Sequence, residues 1–160
     1  MSEAHAYSTI PAKILLPIDF SPSSHVTLEE ATVLAQHFHA AVVLVHVIPE
    51  CANANLEEAK KEAEEHFAVS VAGLAAKGIA ATSSVEVQDD IATCILDVID
   101  REKIDMIVIS THGEGGWHPI VFGSIAEKLI RLVQIPLLLV RSEKPKSSLK
   151  VKSGRLMEWW

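Results

Sequence analysis

The chain has 160 residues, 49% hydrophobic but only 5% aromatic, with a formal net charge of −7 at pH 7. That length suits one domain with a sizeable core, and small aliphatic residues in place of aromatics suit helices packed closely on a sheet. Residues 141–160 hold six Lys and Arg against two Asp and Glu, so +4 there leaves −11 on residues 1–140, a body that repels nucleic acid.

Residues 1–12 show no periodicity and read as a flexible lead-in. They lack a basic segment followed by an apolar one, and no apolar run reaches the ~18 residues of a membrane span. A cytoplasmic location without a membrane span is therefore expected. Lys13 to Asp19 is an apolar run that suits a strand buried on both faces, with Pro17 tolerable only near its end. Ser21 followed by Pro22 fits an N-cap with proline at the first helical position, and Ala31, Leu34, Ala35 and Phe38 make one apolar stripe. Ala40 to Ile48 is a second buried strand, in which His46 reads as a satisfied core histidine rather than a catalytic one.

Asn55 and Glu58 have the spacing of an N-cap with its reciprocal acid. The helix they open is expected from Leu56 to about Lys77, with Leu56, Ala59, Ala63, Phe67, Val71 and Leu74 inward and Glu57 paired with Lys61 on the other face. Gly78 ends it as a C-cap. Ala80 to Val87 is a more polar strand that suits a sheet edge; Asp89 and Asp90 can cap a third helix, burying Ile91, Ile95, Val98 and Ile99 and ending near Lys103. Asp105 to Ile109 is a fourth strand, Ile125, Leu129, Ile130 and Val133 mark a fourth helix opened by Gly123 and Ser124, and Leu137 to Val140 is a fifth strand. Cys51 and Cys94 stand alone in unrelated segments without ligand spacing, which reads as two reduced thiols and no metal site. Residues 142–160 form a basic tail read as disordered; Trp159 and Trp160 within it have no assigned role.

Five strands alternating with four helices imply a single α/β domain with a parallel sheet covered on both faces. Ligands in such sheets sit at the carboxyl ends of strands where the strand order reverses. The first and fourth strands are polar there, with Asp19 and Ser21 in one and Ser110 to His112 in the other. From Ser110 to Ser124 runs a Gly-bearing stretch long enough to suggest a bound ligand rather than a plain surface turn. It leads into a helix start, whose unpaired N–H groups suit phosphate, while Gly113, Gly115, Gly116 and Gly123 permit close backbone approach and positive φ. A dinucleotide fold needs glycines directly after the first strand, where Asp19-Phe20-Ser21-Pro22 has none. A Walker loop needs a lysine, and no Lys or Arg occurs from Ser110 to Glu127. A receiver domain needs clustered acids, of which only Asp19 qualifies.

Ile14 to Ser21, Leu44 to Ile48, and Ser110-Thr111-His112-Gly113 followed by nine residues and Gly123-Ser124 together resemble the universal stress protein family and its ATP-binding pattern. The resemblance implies an adenine nucleotide alpha hydrolase-like domain over residues 13–141, strand order 3-2-1-4-5, and a homodimer through the fifth strand, Leu137, Leu138, Leu139 and Val140. An uncharged edge strand left bare supports that dimer independently. The resemblance places Pro17, Ile18, Asp19 and Val47 around adenine and ribose, and Ile109, Ser110, His112, Gly113, Gly123, Ser124 and Ile125 around ribose and phosphates. Asp19 would accept from a base or ribose donor, and backbone at Val47 would pair with the base edge. The ligand so implied is ATP, ADP or AMP. Two departures from the pattern are Ser110 in place of its first glycine and Glu114 after Gly113, a carboxylate that Mg²⁺ or a ligand with fewer phosphates would offset. The function implied is a nucleotide-binding stress-response regulator with no assigned catalytic residue. Two competing readings are a slow ATPase using His112 or His118, and a dimerisation module without nucleotide.

Overall fold

The computed structural model describes residues 10–52, 55–111 and 123–141. In chain order the elements are Lys13–Pro17 (β1), Pro22–Phe38 (α1), Ala41–Ile48 (β2), Leu56–Ala76 (α2), Ala81–Val87 (β3), Ile91–Glu102 (α3), Met106–Ser110 (β4), Ser124–Leu132 (α4) and Leu137–Val140 (β5). All neighbouring strands pair in parallel, in the order β3-β2-β1-β4-β5. This is the 3-2-1-4-5 order implied by the family resemblance.

Strand periodicity divides the core in two. Ile14, Leu16, Val42 and Leu44 pack with Ala31 and Ala35 of α1 and Phe67 and Leu74 of α2. Leu15, Val43, Val45 and Ile107 pack with Ala92, Ile95 and Val98 of α3 and Ala126 and Leu129 of α4. The sheet is thus covered on both faces, each fully buried large side chain contributing about 1.5–3 kcal/mol. Among the described residues no helix is long and apolar enough to cross a membrane.

Local chemistry sets the helix ends. Ser21 caps α1 with Pro22 following, Asn55 caps α2, and Asp90 caps α3 by accepting from the Thr93 N–H at 3.1 Å. Asp89, also expected at that cap, instead accepts from the Cys51 N–H at 3.0 Å, because one carboxylate fills the cap and its neighbour points elsewhere. Glu58 takes the Asn55 side-chain amide at 2.7 Å. Lys77 is the C-cap of α2, and Gly78 follows it at φ 76°, a left-handed position that favours glycine. The expected Glu57–Lys61 pair gives way to Lys60–Glu57 at 3.6 Å and Lys61–Glu65 at 4.0 Å. Exposed charges three and four residues apart are interchangeable neighbours, and each pair is weak.

α4 departs from its expected stripe. Ala126 and Leu129 face the core, whereas Ile125 and Ile130 are 38% and 44% exposed. Leu132 on the same helix and Leu138 on the edge strand β5 are exposed as well. Lys128 ties α4 to α3 by donating to the Asp90 carboxylate at 2.6 Å. Hydrogen bonding from Lys128 and from Thr93 lowers the Asp90 carboxyl to about 2. Because that value lies below the unfolded one of about 3.9, the contribution is complete above the unfolded value and is lost as pH falls through about 2. Lys128→Ala is expected to raise the Asp90 pKa toward the ordinary carboxylate range in an NMR pH titration, and high salt should weaken the same shift in the parent chain.

Candidate functional site

The site begins where β1 loses its neighbours. Its pairing with β2 ends at Pro17↔Val45, and its pairing with β4 ends earlier, at Leu15↔Ile107. Ile18 still donates its N–H to the Val45 carbonyl at 2.8 Å, which sets the polar groups of Leu16 and Ile18 toward β2 and those of Leu15 and Pro17 toward β4. Toward β4, Pro17 has no N–H to donate to the Val108 carbonyl, so the ladder loses a bond there. A further rung to β2 would join the Val47 N–H to the Ile18 carbonyl. That carbonyl instead accepts from His46 Nδ1 at 2.7 Å, so Nδ1 carries the proton. Among the described residues the Val47 N–H has no backbone partner on the β1 side. β1 therefore stops two residues short of the expected Asp19.

Past the strand, Phe20 takes φ 60°, a left-handed conformation uncommon for a bulky residue. Its ring is held in place. Phe20 lies 4.8 Å from the His46 ring, 5.0 Å from His66 and 5.3 Å from Phe67, centroid to centroid. His46 is thus the satisfied residue its strand position suggests.

Asp19 sits inside the turn that Phe20 makes. Its Oδ1 accepts from the Ser21 N–H at 3.0 Å, from Ser21 Oγ at 2.6 Å and from Ser24 Oγ at 2.5 Å. The Asp19 N–H in turn donates to Ser24 Oγ at 3.2 Å. Partial burial raises the carboxyl, but the hydrogen bonds from Ser21 and Ser24 outweigh it and hold the group below the usual carboxylate range. All these contacts fall on one oxygen, and Oδ2 has no hydrogen-bond partner among the described residues. A charged acceptor is left over at the amino end of α1.

On the other side of the crevice, the Thr111 N–H donates to the Val140 carbonyl at 3.0 Å, and the Thr111 carbonyl accepts from the Gly123 N–H at 3.1 Å. The carboxyl end of β4 is thereby stitched to the amino end of α4. Gly123 has φ −54°, ψ 147°, which any residue adopts, and a Cβ there would come no closer than 3.8 Å to Thr111 O. The positive φ allowed for at this glycine is absent; the turn is already closed by the Gly123–Thr111 bond in extended backbone. α4 also has no side-chain cap hydrogen bond, whereas α1, α2 and α3 each have one. Its first-turn N–H groups have no intrahelical acceptor.

The eleven residues assigned from the sequence separate accordingly. Pro17, Ile18, Asp19 and Val47 lie together at the ends of β1 and β2, and Ile109, Ser110, Gly123, Ser124 and Ile125 lie at the end of β4 and start of α4. Ile18, Val47 and Ile109 bury their side chains in the core, so they offer a ligand backbone only. His112 and Gly113 lie outside the described residues, as do Glu114, Trp117 and His118. Phe20, Ser24 and His66 were not singled out from the sequence. Ser24 alone left a sign, a hydroxyl three residues after the cap Ser21. The ends of β1 and β4 and the start of α4 lie at the reversal of strand order, between β1 and β4.

Comparison with known proteins agrees with this fold. The model of the universal stress protein family matches residues 12–141. Universal stress protein A of Escherichia coli K12 is 28% identical over 136 residues, covering 79% of this chain and 92% of its own. The solved structure of hypothetical protein MJ0577 superposes with a TM-score of 0.75 at 24% identity, over 84% of this chain and 99% of that one. A universal stress protein from Archaeoglobus fulgidus in complex with dAMP gives 0.64 at 23% identity, over 81% and 98%. Another, in complex with cAMP, gives 0.67 at 15% identity, over 84% and 100%.

The serine cage makes a direct prediction. Ser24→Ala removes two hydrogen bonds at Asp19 and should cost about 1–2 kcal/mol at neutral pH. Since the folded pKa of Asp19 is depressed, its contribution is complete above the unfolded value of about 3.9 and fades as pH falls through the lower folded value. Thermal melts from neutral to acid pH should therefore show the difference between parent and variant shrinking at the acid end. A difference independent of pH would sink this account of the cage.

Proposed function

The chain belongs to the universal stress protein family, and from that membership we propose that it is a homodimeric cytoplasmic stress-response regulator that binds an adenine nucleotide in the crevice between β1 and β4. The observation that carries this reading is the start of α4. It is the one described helix start without a side-chain cap, and it is opened by a glycine whose bare Cα the fold does not need. Anions favour such an end because its N–H groups and dipole are unsatisfied.

The rest of the ligand is accounted for by neighbouring groups. Backbone at Val47 offers a base edge both a donor and an acceptor, as adenine requires. Asp19 Oδ2 would accept from a ribose hydroxyl or base amine, with Pro17 and Ile18 forming the floor. Ile109, Ser110, Ser124 and Ile125 would border ribose and phosphates beside Gly123, and His112 and Gly113 would complete the phosphate side. The relatives bound to dAMP and cAMP support adenine nucleotides as the class, monophosphates included. Mg²⁺ would enter with the phosphates of ADP or ATP. Nucleotide held this way stabilises one conformation by mass action, which is a signal other proteins can read.

Calorimetric titration with AMP, ADP and ATP, each with and without Mg²⁺, tests the reading. Gly123→Ala should leave the melting temperature nearly unchanged, yet weaken nucleotide binding by about tenfold or more, as expected if phosphate approach is blocked and a charge-assisted bond is lost. A parent chain that binds none of the three would refute the proposal. The dimer is tested separately: Leu138→Lys puts a charge on the exposed edge of β5 and should give monomers in native mass spectrometry. Dimers that survive this change would place the interface elsewhere.

A further inference from the structure

We infer that His46 is a positioning residue for the base: by taking the Ile18 carbonyl with its Nδ1–H, it prevents the next β1–β2 rung and keeps the Val47 N–H open. The inference rests on the adenine site proposed above and concerns how that site is kept open. Backbone alternation aims the Val47 N–H at β1, where the only rung in register is the Ile18 carbonyl. Strand edges in this position normally close, because each rung satisfies two polar groups.

Here the acceptor is already engaged, at 2.7 Å, by a side chain of the strand it would pair with. A carbonyl has two lone pairs, so occupancy alone would not exclude Val47. Direction does. The His46 ring stacks with Phe20, which also meets Phe67, a core residue of the α1–α2 face. The ring therefore stands on that face of the sheet, and a bond from it would draw the Ile18 oxygen toward that face and away from the Val47 N–H. Phe20 completes the device: its left-handed backbone turns the chain off the sheet immediately after Ile18, and its ring is braced by His46 and His66. A hydrophobic residue at position 46 would pack as well but would release the carbonyl.

Two substitutions separate the hydrogen bond from the packing. His46→Phe keeps an aromatic ring against Phe20 and removes the donor; His46→Asn places an amide nitrogen near the former Nδ1 and restores it. Hydrogen exchange at the Val47 amide in the nucleotide-free chain, read by NMR, reports the rung directly. The Phe variant should protect that amide and slow its exchange about tenfold, and should weaken AMP binding about fivefold to tenfold. The Asn variant should match the parent in both. Should the Phe ring disturb folding, His46→Leu repeats the donor-free measurement. Unchanged Val47 exchange in the donor-free variants, or an Asn variant no better than Phe, overturns the inference. A parent chain that binds no adenine nucleotide overturns the site reading instead, and the exchange comparison still decides whether His46 holds the ladder open.

Discussion

β1 is the central strand, yet it runs out of hydrogen-bond partners on both flanks within a few residues. Toward β4 the cause is covalent, since Pro17 has no N–H to give; toward β2 it is the imidazole of His46 on the Ile18 carbonyl. Everything that makes a crevice follows from that double termination. β2 and β4 continue past β1, β2 paired with β3 to Ile48↔Val87 and β4 with β5 to Ser110↔Val140. The middle of that end of the sheet is therefore notched, and among the described residues the Val47 N–H finds no backbone partner on the β1 side.

The turn that fills the bottom of the notch is costly in backbone terms. A left-handed Phe20 is held by the three aromatic neighbours of its ring and by Asp19, which accepts from Ser21 and Ser24. One oxygen of that carboxylate fixes the start of α1, and among the described residues the other accepts no hydrogen bond.

The sequence carried the element order well because parallel strands buried on both faces leave uninterrupted runs such as Val42 to Val45, and because Ser21-Pro22, Asn55 and Asp90 are local signals for helix starts. The order of strands in the sheet is not local information and came from the family resemblance. What stayed hidden depends on contacts across the sheet. Nothing near His46 in the chain indicates that its ring reaches a carbonyl of β1, and nothing near Phe20 announces a left-handed residue, since its neighbours His46, His66 and Phe67 come from β2 and α2. Gly123 was picked out for close backbone approach and for positive φ, and its backbone does not use the second.

The two edges of the sheet differ in a way that bears on assembly. β3 exposes Thr82 and Ser83, and its Glu86 pairs with Arg101, so polar and charged groups guard that edge. β5 is four aliphatic residues with no charge, beside a helix that leaves Ile125, Ile130 and Leu132 in the open. Pairing of β5 with β3 of another copy would run head to tail and grow without limit, whereas pairing of β5 with itself closes after two chains. Guarding one edge while leaving the other apolar favours the closed arrangement. The proposed dimer contact would then lie on β5 and α4, the elements joined through Val140, Thr111 and Gly123 to the end of β4. An occupied crevice would thereby bear on the proposed interface through two backbone hydrogen bonds rather than through a moving domain.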